Sequence, residues 1–275
     1  MATVAETLRG EVRRDDLLSG TPRAHAIDRW IFVAMAAWFI AIVLAGFIPD
    51  SLMKIEMVRT GQRPPFPLVL HLHAVLMGSF LLLLLAQTWL MATGRCEQHK
   101  RLGILAMVIA PALVIVGFVL VATNYHMLWG AIQAAPPGAT RADAQFTLSI
   151  WENIMLLQIR IGILFSLFLA IGLNSRGRNA GMHKRMMFLA TVMALPAGID
   201  RIPWLPHTMP ASALSVDLYT LLAISPMFVW DVVRNRRVHP AYVIWLAINL
   251  PFAIAVHGLW DTSWWHAAAK QIMGV

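Results

Sequence analysis

Residues 67–91 read PLVLHLHAVLMGSFLLLLLAQTWLM, a stretch without a single charged side chain. A helix needs about 20 mostly apolar residues to cross the hydrocarbon core of a bilayer. A barrel strand would show about ten alternating residues, whereas Leu81 to Leu85 is continuous. The stretch therefore predicts a transmembrane helix. Working outward by the same criterion gives seven spans: Arg29–Ile48, Pro67–Met91, Leu102–Thr123, Leu148–Leu173, Met186–Leu205, Ala213–Trp230 and Ala241–Trp260. The composition agrees. Hydrophobic residues make up 59% and charged residues 13%, with a mean hydropathy of +0.66. Soluble domains carry about 25% charged residues, so this chain has too few to face water all round. The expected fold is all-α: a polytopic bundle of seven transmembrane helices over 28–262, with a polar tail at 1–27 and a short tail at 263–275.

The 22 Lys and Arg give the bundle an orientation. Fifteen fall in the N-terminal tail and in the loops after spans two, four and six. Six fall on the opposite side, and Arg160 lies inside a span. Basic loops stay in the cytoplasm, which predicts a cytoplasmic N-terminus and an external C-terminus. The first 27 residues lack an apolar stretch and read as a loose cytoplasmic tail rather than a cleaved signal. Trp129, Trp151, Trp204, Trp260, Trp264 and Trp265 gather at the expected outer interface, as an aromatic belt does. In this setting the net charge of +8 marks loops at a lipid surface and not a nucleic-acid partner.

Several chemistries are excluded. Cys96 is the only cysteine, so disulfide scaffolds and CxxC zinc modules are out. None of the four lysines lies in a span, which removes a retinal Schiff base. P-loop, G-x-S-x-G and H-E-x-x-H motifs are missing.

The loops after spans two and four share a pattern. One runs Gly94-Arg95 to His99-Lys100-Arg101, the other Gly177-Arg178 to His183-Lys184-Arg185, and Arg234 to His239 makes a fainter third copy. Each copy ends in a histidine that opens the next span. The pattern predicts three helical hairpins, spans 2–3, 4–5 and 6–7, plus one extra helix. Chance placement of cytoplasmic charge would give a similar look.

The order His71-x-His73-Ala74, Gln87, His99-Lys100-Arg101-Leu102-Gly103 resembles a class of uncharacterised bacterial multi-pass inner-membrane proteins. These are proteins of the domain-of-unknown-function type, with an H-x-H-A … Q … H-[RK]-R-L-G pattern. The resemblance covers roughly residues 45–125, and Lys100 stands where that class usually has Arg. It implies a bacterial inner-membrane location and a similar topology, and no activity.

The histidines sort by depth. His99, His183 and His239 lie at the expected cytoplasmic edge, while His71, His73 and His257 lie near the outer edge with Asp261 at i+4 from His257. Polar groups at membrane depth are functional candidates, and imidazole is a common metal ligand. His71, His73, His257 and Asp261 are thus the expected metal ligands, for heme b or for copper, iron or zinc. His71 and His73 point about 200° apart on a helix, so His73 with His257 makes the better pair. The plainer alternative is that each ring bonds a neighbouring backbone. His99, His183 and His239 invite a second-heme reading, but beside Lys and Arg they suit heme propionates or lipid head groups at least as well as iron.

Arg160 lies mid-span, with Glu152 two turns outward and Asp200 as possible partners. Asp200 and Arg201 sit in the Pro/Gly-broken fifth span, a kind of segment that lines cavities. Arg160, Asp200 and Arg201 complete the expected cofactor-binding set. The leading expectation is an integral membrane redox protein that exchanges electrons with a quinone. The alternatives are a non-catalytic accessory subunit or transporter of a membrane complex, and a zinc-dependent intramembrane lipid hydrolase.

Overall fold

A helix that is apolar on every face buries part of itself against other helices and leaves the rest to lipid. The computed structural model describes residues 16–19 and 25–275. The tail residues Arg9, Arg13, Arg14 and Arg23 lie outside the described residues. After a 3₁₀ turn at Leu17–Ser19 come α1 (Ala26–Arg59), α2 (Leu68–Ala92), α3 (Cys96–Leu102), α4 (Ile104–Ala134) and α5 (Ala139–Ser175). Then follow α6 (Ala180–Thr191), a 3₁₀ turn at Val192–Ala194, α7 (Pro196–Ile199), α8 (Leu214–Asn235), α9 (Pro240–Leu259) and α10 (Ser263–Met273). Among the described residues, six helices are long and apolar enough to cross a membrane: α1, α2, α3 with α4, α5, α8 and α9.

The fifth expected span, Met186–Leu205, is not one helix. It is α6, the 3₁₀ turn and α7, followed by turns to Leu205. Pro196 has no N–H and its ring crowds the carbonyl four residues back, which stops a continuous helix there. This segment is nevertheless the best buried part of the bundle. Met186, Leu189, Ala190 and Val192 have no exposed surface. Irregular backbone at membrane depth survives where protein surrounds it. One contact seats it closely: a Cβ on Gly46 of α1 would overlap the Gly198 carbonyl of α7, and a Cβ on Gly198 would stand 3.2 Å from the Val43 Cα. Two glycines thus let the backbones touch, as small residues do where membrane helices cross.

The helices also outrun the apolar stretches. Pro49 lies inside α1, which continues to Arg59, and α5 begins nine residues before Leu148. Hydropathy ends where charge begins, but a helix needs only its backbone bonds. Residues 263–273, expected as part of a tail, form α10 instead. Thr262 caps it by accepting the Trp265 N–H, and its Trp265 and Ala269 are buried.

Candidate functional site

Two imidazoles meet at the end of the bundle that carries the basic loops. His99 comes from α3, just after α2, and His183 from the first turn of α6, just after α5. Their ring centres are 6.3 Å apart with planes at 81°. Each ring is half-buried and bonds the preceding long helix. His99 Nδ1 lies 3.3 Å from the Gln87 carbonyl oxygen and His183 Nδ1 lies 2.8 Å from that of Gly172. A carbonyl only accepts, so both Nδ1 atoms donate. The neutral rings then carry their lone pairs on Nε2. Metal-binding histidines are held in the same way, by a bond from the other ring nitrogen that sets tautomer and orientation. Glycines shape both places: Gly103 packs against the Gln87 side chain, and Gly172 lies against Met186. Lys100 and Arg101 follow His99 in sequence, Arg176 acts on His183 electrostatically, and all three are exposed.

The third expected member, His239, does something else. Its Nδ1 accepts the Ala241 N–H at 3.1 Å and so caps α9. Burial, reinforced by the Arg185 guanidinium, pushes its pKa down to about 4. Next to it lies a cluster that the sequence hides. Arg185 is fully buried and chelated by Asp231 through Nε and Nη2, and Asp16 accepts from it at 2.8 Å and 3.1 Å. Within the same motif Lys184 pairs with Asp16 at 3.6 Å and lies over the Phe32 ring. Asp28, buried, accepts from Arg234 and from the Trp230 indole. Carboxylates in short polar stretches gave no sign of these partners.

The expected outer metal set is not brought together. His257 Nε2 lies 3.0 Å from Asp217, the same carboxylate that Arg160 grips through both Nη atoms. Asp261 is not on the His257 face, because α9 stops at Leu259 and Asp261 takes a left-handed φ of 58°. There it exchanges hydrogen bonds with Asn153, at 2.9 Å and 3.3 Å. His71 is exposed and meets the Phe66 ring edge-on, whereas His73 turns inward, as their two-residue offset requires. Among the described residues no group of three or more His, Cys, Asp or Glu could hold a metal ion.

Arg160 therefore pairs with Asp217, and neither Glu152 nor Asp200 is its partner. Asp217 opens α8, where hydropathy ends and pairing across helices cannot be read from spacing. Glu152 accepts from Tyr125 at 2.9 Å, meets His266 Nδ1 at 2.6 Å, and its carbonyl takes the Trp265 indole N–H at 2.7 Å. His266 also reaches Asp261 at 3.2 Å. Beside this cluster opens a polar pocket of about 330 Å³ with Trp129, Arg141 and Lys270 in its wall. Arg201 turns to Asp50 at 3.4 Å and stacks over Phe47, and Asp200 makes no ion pair among the described residues.

The expectation that the broken segment lines a cavity holds at its middle. Ala194 and Ala197 border a second cavity together with His73. In comparison with known proteins, the chain matches no family model, no curated protein and no solved structure.

Proposed function

We propose that this chain is an integral membrane electron-transfer protein that holds a heme iron or a single transition ion between His99 and His183. The observation that carries the reading is the ring-centre separation of 6.3 Å. Imidazoles bound at about 2.0 Å on opposite sides of one ion place their ring centres roughly 6–6.5 Å apart. The two Nδ1 bonds to Gln87 and Gly172 support it, since they leave Nε2 on both rings as the donor atom. His99 and His183 would hold the iron or ion, which would supply one-electron redox chemistry when bound. Exposed Arg101 and Arg176 would be the cations available to heme propionates, since Lys100 pairs with Glu97 at 2.7 Å.

In this reading the six apolar helices and the broken α6–α7 segment make seven crossings of a bacterial inner membrane. The N-terminus is cytoplasmic, as the basic loops direct. The histidine pair then belongs to the cytoplasmic side, and the duplicated Gly-Arg to His-Lys-Arg loops supply one ligand each.

The test is the optical spectrum and metal content of the purified protein, before and after loading with hemin or copper. A Soret band or one equivalent of metal is expected, and His99→Ala and His183→Ala should each remove it. His257→Ala should keep the full complement. A wild type that binds neither heme nor metal overturns the proposal, as does full loading of the His99→Ala/His183→Ala double variant.

A further inference from the structure

The cavity beside His73 measures about 130 Å³ and lies between α2, α4, α5 and the broken segment. Its wall is apolar, with Met77 from α2, Leu113 and Phe118 from α4, and Phe165 from α5. Two lining residues break that pattern. His73 Nδ1 and Gln158 Oε1 are both buried, and neither has a hydrogen-bond partner among the described residues. A buried polar atom left unpaired is costly, because it has given up its bond to water and gained none in return. Two such atoms bordering one cavity mark a place where a ligand completes the bonding.

The shape of the cavity comes from two glycines. A Cβ on Gly117 would stand 3.6 Å from the His73 ring, so the missing side chain keeps the space in front of the imidazole open. A Cβ on Gly162 would come within 2.5 Å of the Phe118 ring, so that ring rests directly on the α5 backbone as a wall. The exposed part of the cavity wall is on the lipid-facing side of α4. Phe118 is 42% exposed, between Ile115 at 64% and Val119 at 50% on the same outward side of α4. In a membrane those residues face lipid tails, so the ligand is soluble in lipid and carries only a few polar atoms.

We propose that this cavity binds the head group of a single-ring quinone or quinol, with one ring oxygen at His73 and the other at Gln158. A core cavity of about 150 Å³ takes up a benzene ring, so the volume suits one six-membered ring whose tail leaves past Phe118. A quinol hydroxyl donates to Gln158 Oε1 or to an unprotonated His73 Nδ1. A quinone carbonyl accepts from the Nδ1–H tautomer or from the Gln158 amide N–H. The inference names a substrate class for the redox reading, yet it rests on separate residues. His73 and Gln87 are 14 residues apart on α2, roughly 21 Å, so either site can fail while the other stands.

The experiment is photolabelling of the full chain in lipid nanodiscs with an azidoquinone, mapped by mass spectrometry and competed with decylubiquinone. Competable labelling of α4 around Phe118 is expected in the wild type. Gly117→Leu fills the cavity and should abolish it. His73→Leu should weaken competition about tenfold, the worth of a lost hydrogen bond. His73→Asn, which keeps an amide near the Nδ1 position, should restore it. Melting temperatures show which variants are folded, and if Gly117→Leu is not, the His73→Leu and His73→Asn pair decides. Labelling that is absent, uncompeted or unchanged in these variants overturns the proposal. Loss of heme or metal in His99→Ala with quinone labelling intact separates this site from the histidine pair.

Discussion

His239 shows how one ring can have its chemistry set by position. It caps α9 by accepting the Ala241 N–H, which needs an unprotonated Nδ1. Arg185, Lys184, Asp16 and Asp231 all act on it, and burial with Arg185 dominates to give a pKa of about 4. The unfolded ring titrates near 6.5. Between those values the unfolded chain binds more protons, so stability rises with pH. The contribution is complete above about 6.5 and is lost as pH falls towards about 4. His239→Asn preserves the cap, since Asn is a favoured N-cap residue, and does not titrate. Its melting temperature in detergent should fall less than that of the wild type between pH 7 and pH 4. Parallel curves would show that His239 does not titrate as described. His99 and His183 differ from it, because their Nδ1 atoms face carbonyls and must donate.

Among the elements, α5, α8 and α9 are tied by one triad: Arg160 on α5, Asp217 on α8 and His257 on α9. Arg160 is only 2% exposed. Losing one partner of a buried ion pair costs about 3–5 kcal/mol in soluble sites, whereas replacing both by apolar groups can be neutral. Asp217→Leu should therefore lower the melting temperature sharply, and Arg160→Leu/Asp217→Leu should recover much of the loss. Asp200→Leu, with no ion pair to break among the described residues, should be milder than Asp217→Leu. If the double variant is no better than the sum of the singles, the pair does not hold these helices. The fifth segment is held differently, by the Gly46–Gly198 backbone contact and by its own apolar burial.

At the scale of the whole molecule, polar clusters occupy both ends of an apolar bundle. One end holds the histidine pair and the Arg185 and Asp28 clusters, and the other the Glu152–His266 cluster. In the proposed orientation, which follows the positive-inside rule, the end with the basic loops is the cytoplasmic one. Cys96 is exposed at the start of α3. An impermeant thiol reagent should fail to label it in intact cells and succeed once the membrane is opened. Efficient labelling of intact cells would reverse the orientation and place the histidine pair outside.

The residues themselves decided that the chain lives in lipid and that it is helical, because apolar length and low charge act locally and can be counted along the sequence. Leu81 to Leu85 needs no partner to be read. That the fifth span is broken was legible for the same reason, since prolines and glycines act on their own turns. The sequence, however, reads as unbroken to Ile199, and the structure interrupts it already at Val192–Ala194. The duplicated loops also pointed to His99 and His183, as lipid or propionate contacts first and as ligands of a second heme iron second, but not as two rings 6.3 Å apart. Partner choice was another matter. Arg160 has Glu152 and Asp200 as plausible neighbours by spacing and depth, yet it takes Asp217, 57 residues away in sequence. Asp261 lost its expected alignment with His257 because α9 ended two residues before it. The His73 cavity is bordered by Gly117, which leaves room before the His73 ring, and by Gly162, on which the Phe118 ring of another helix rests. Such pairings depend on how helices rotate and cross, and the hydrophobic effect that reveals a helix in sequence is non-directional. It says that a helix is buried in lipid or protein, and only the packed bundle says against which neighbour.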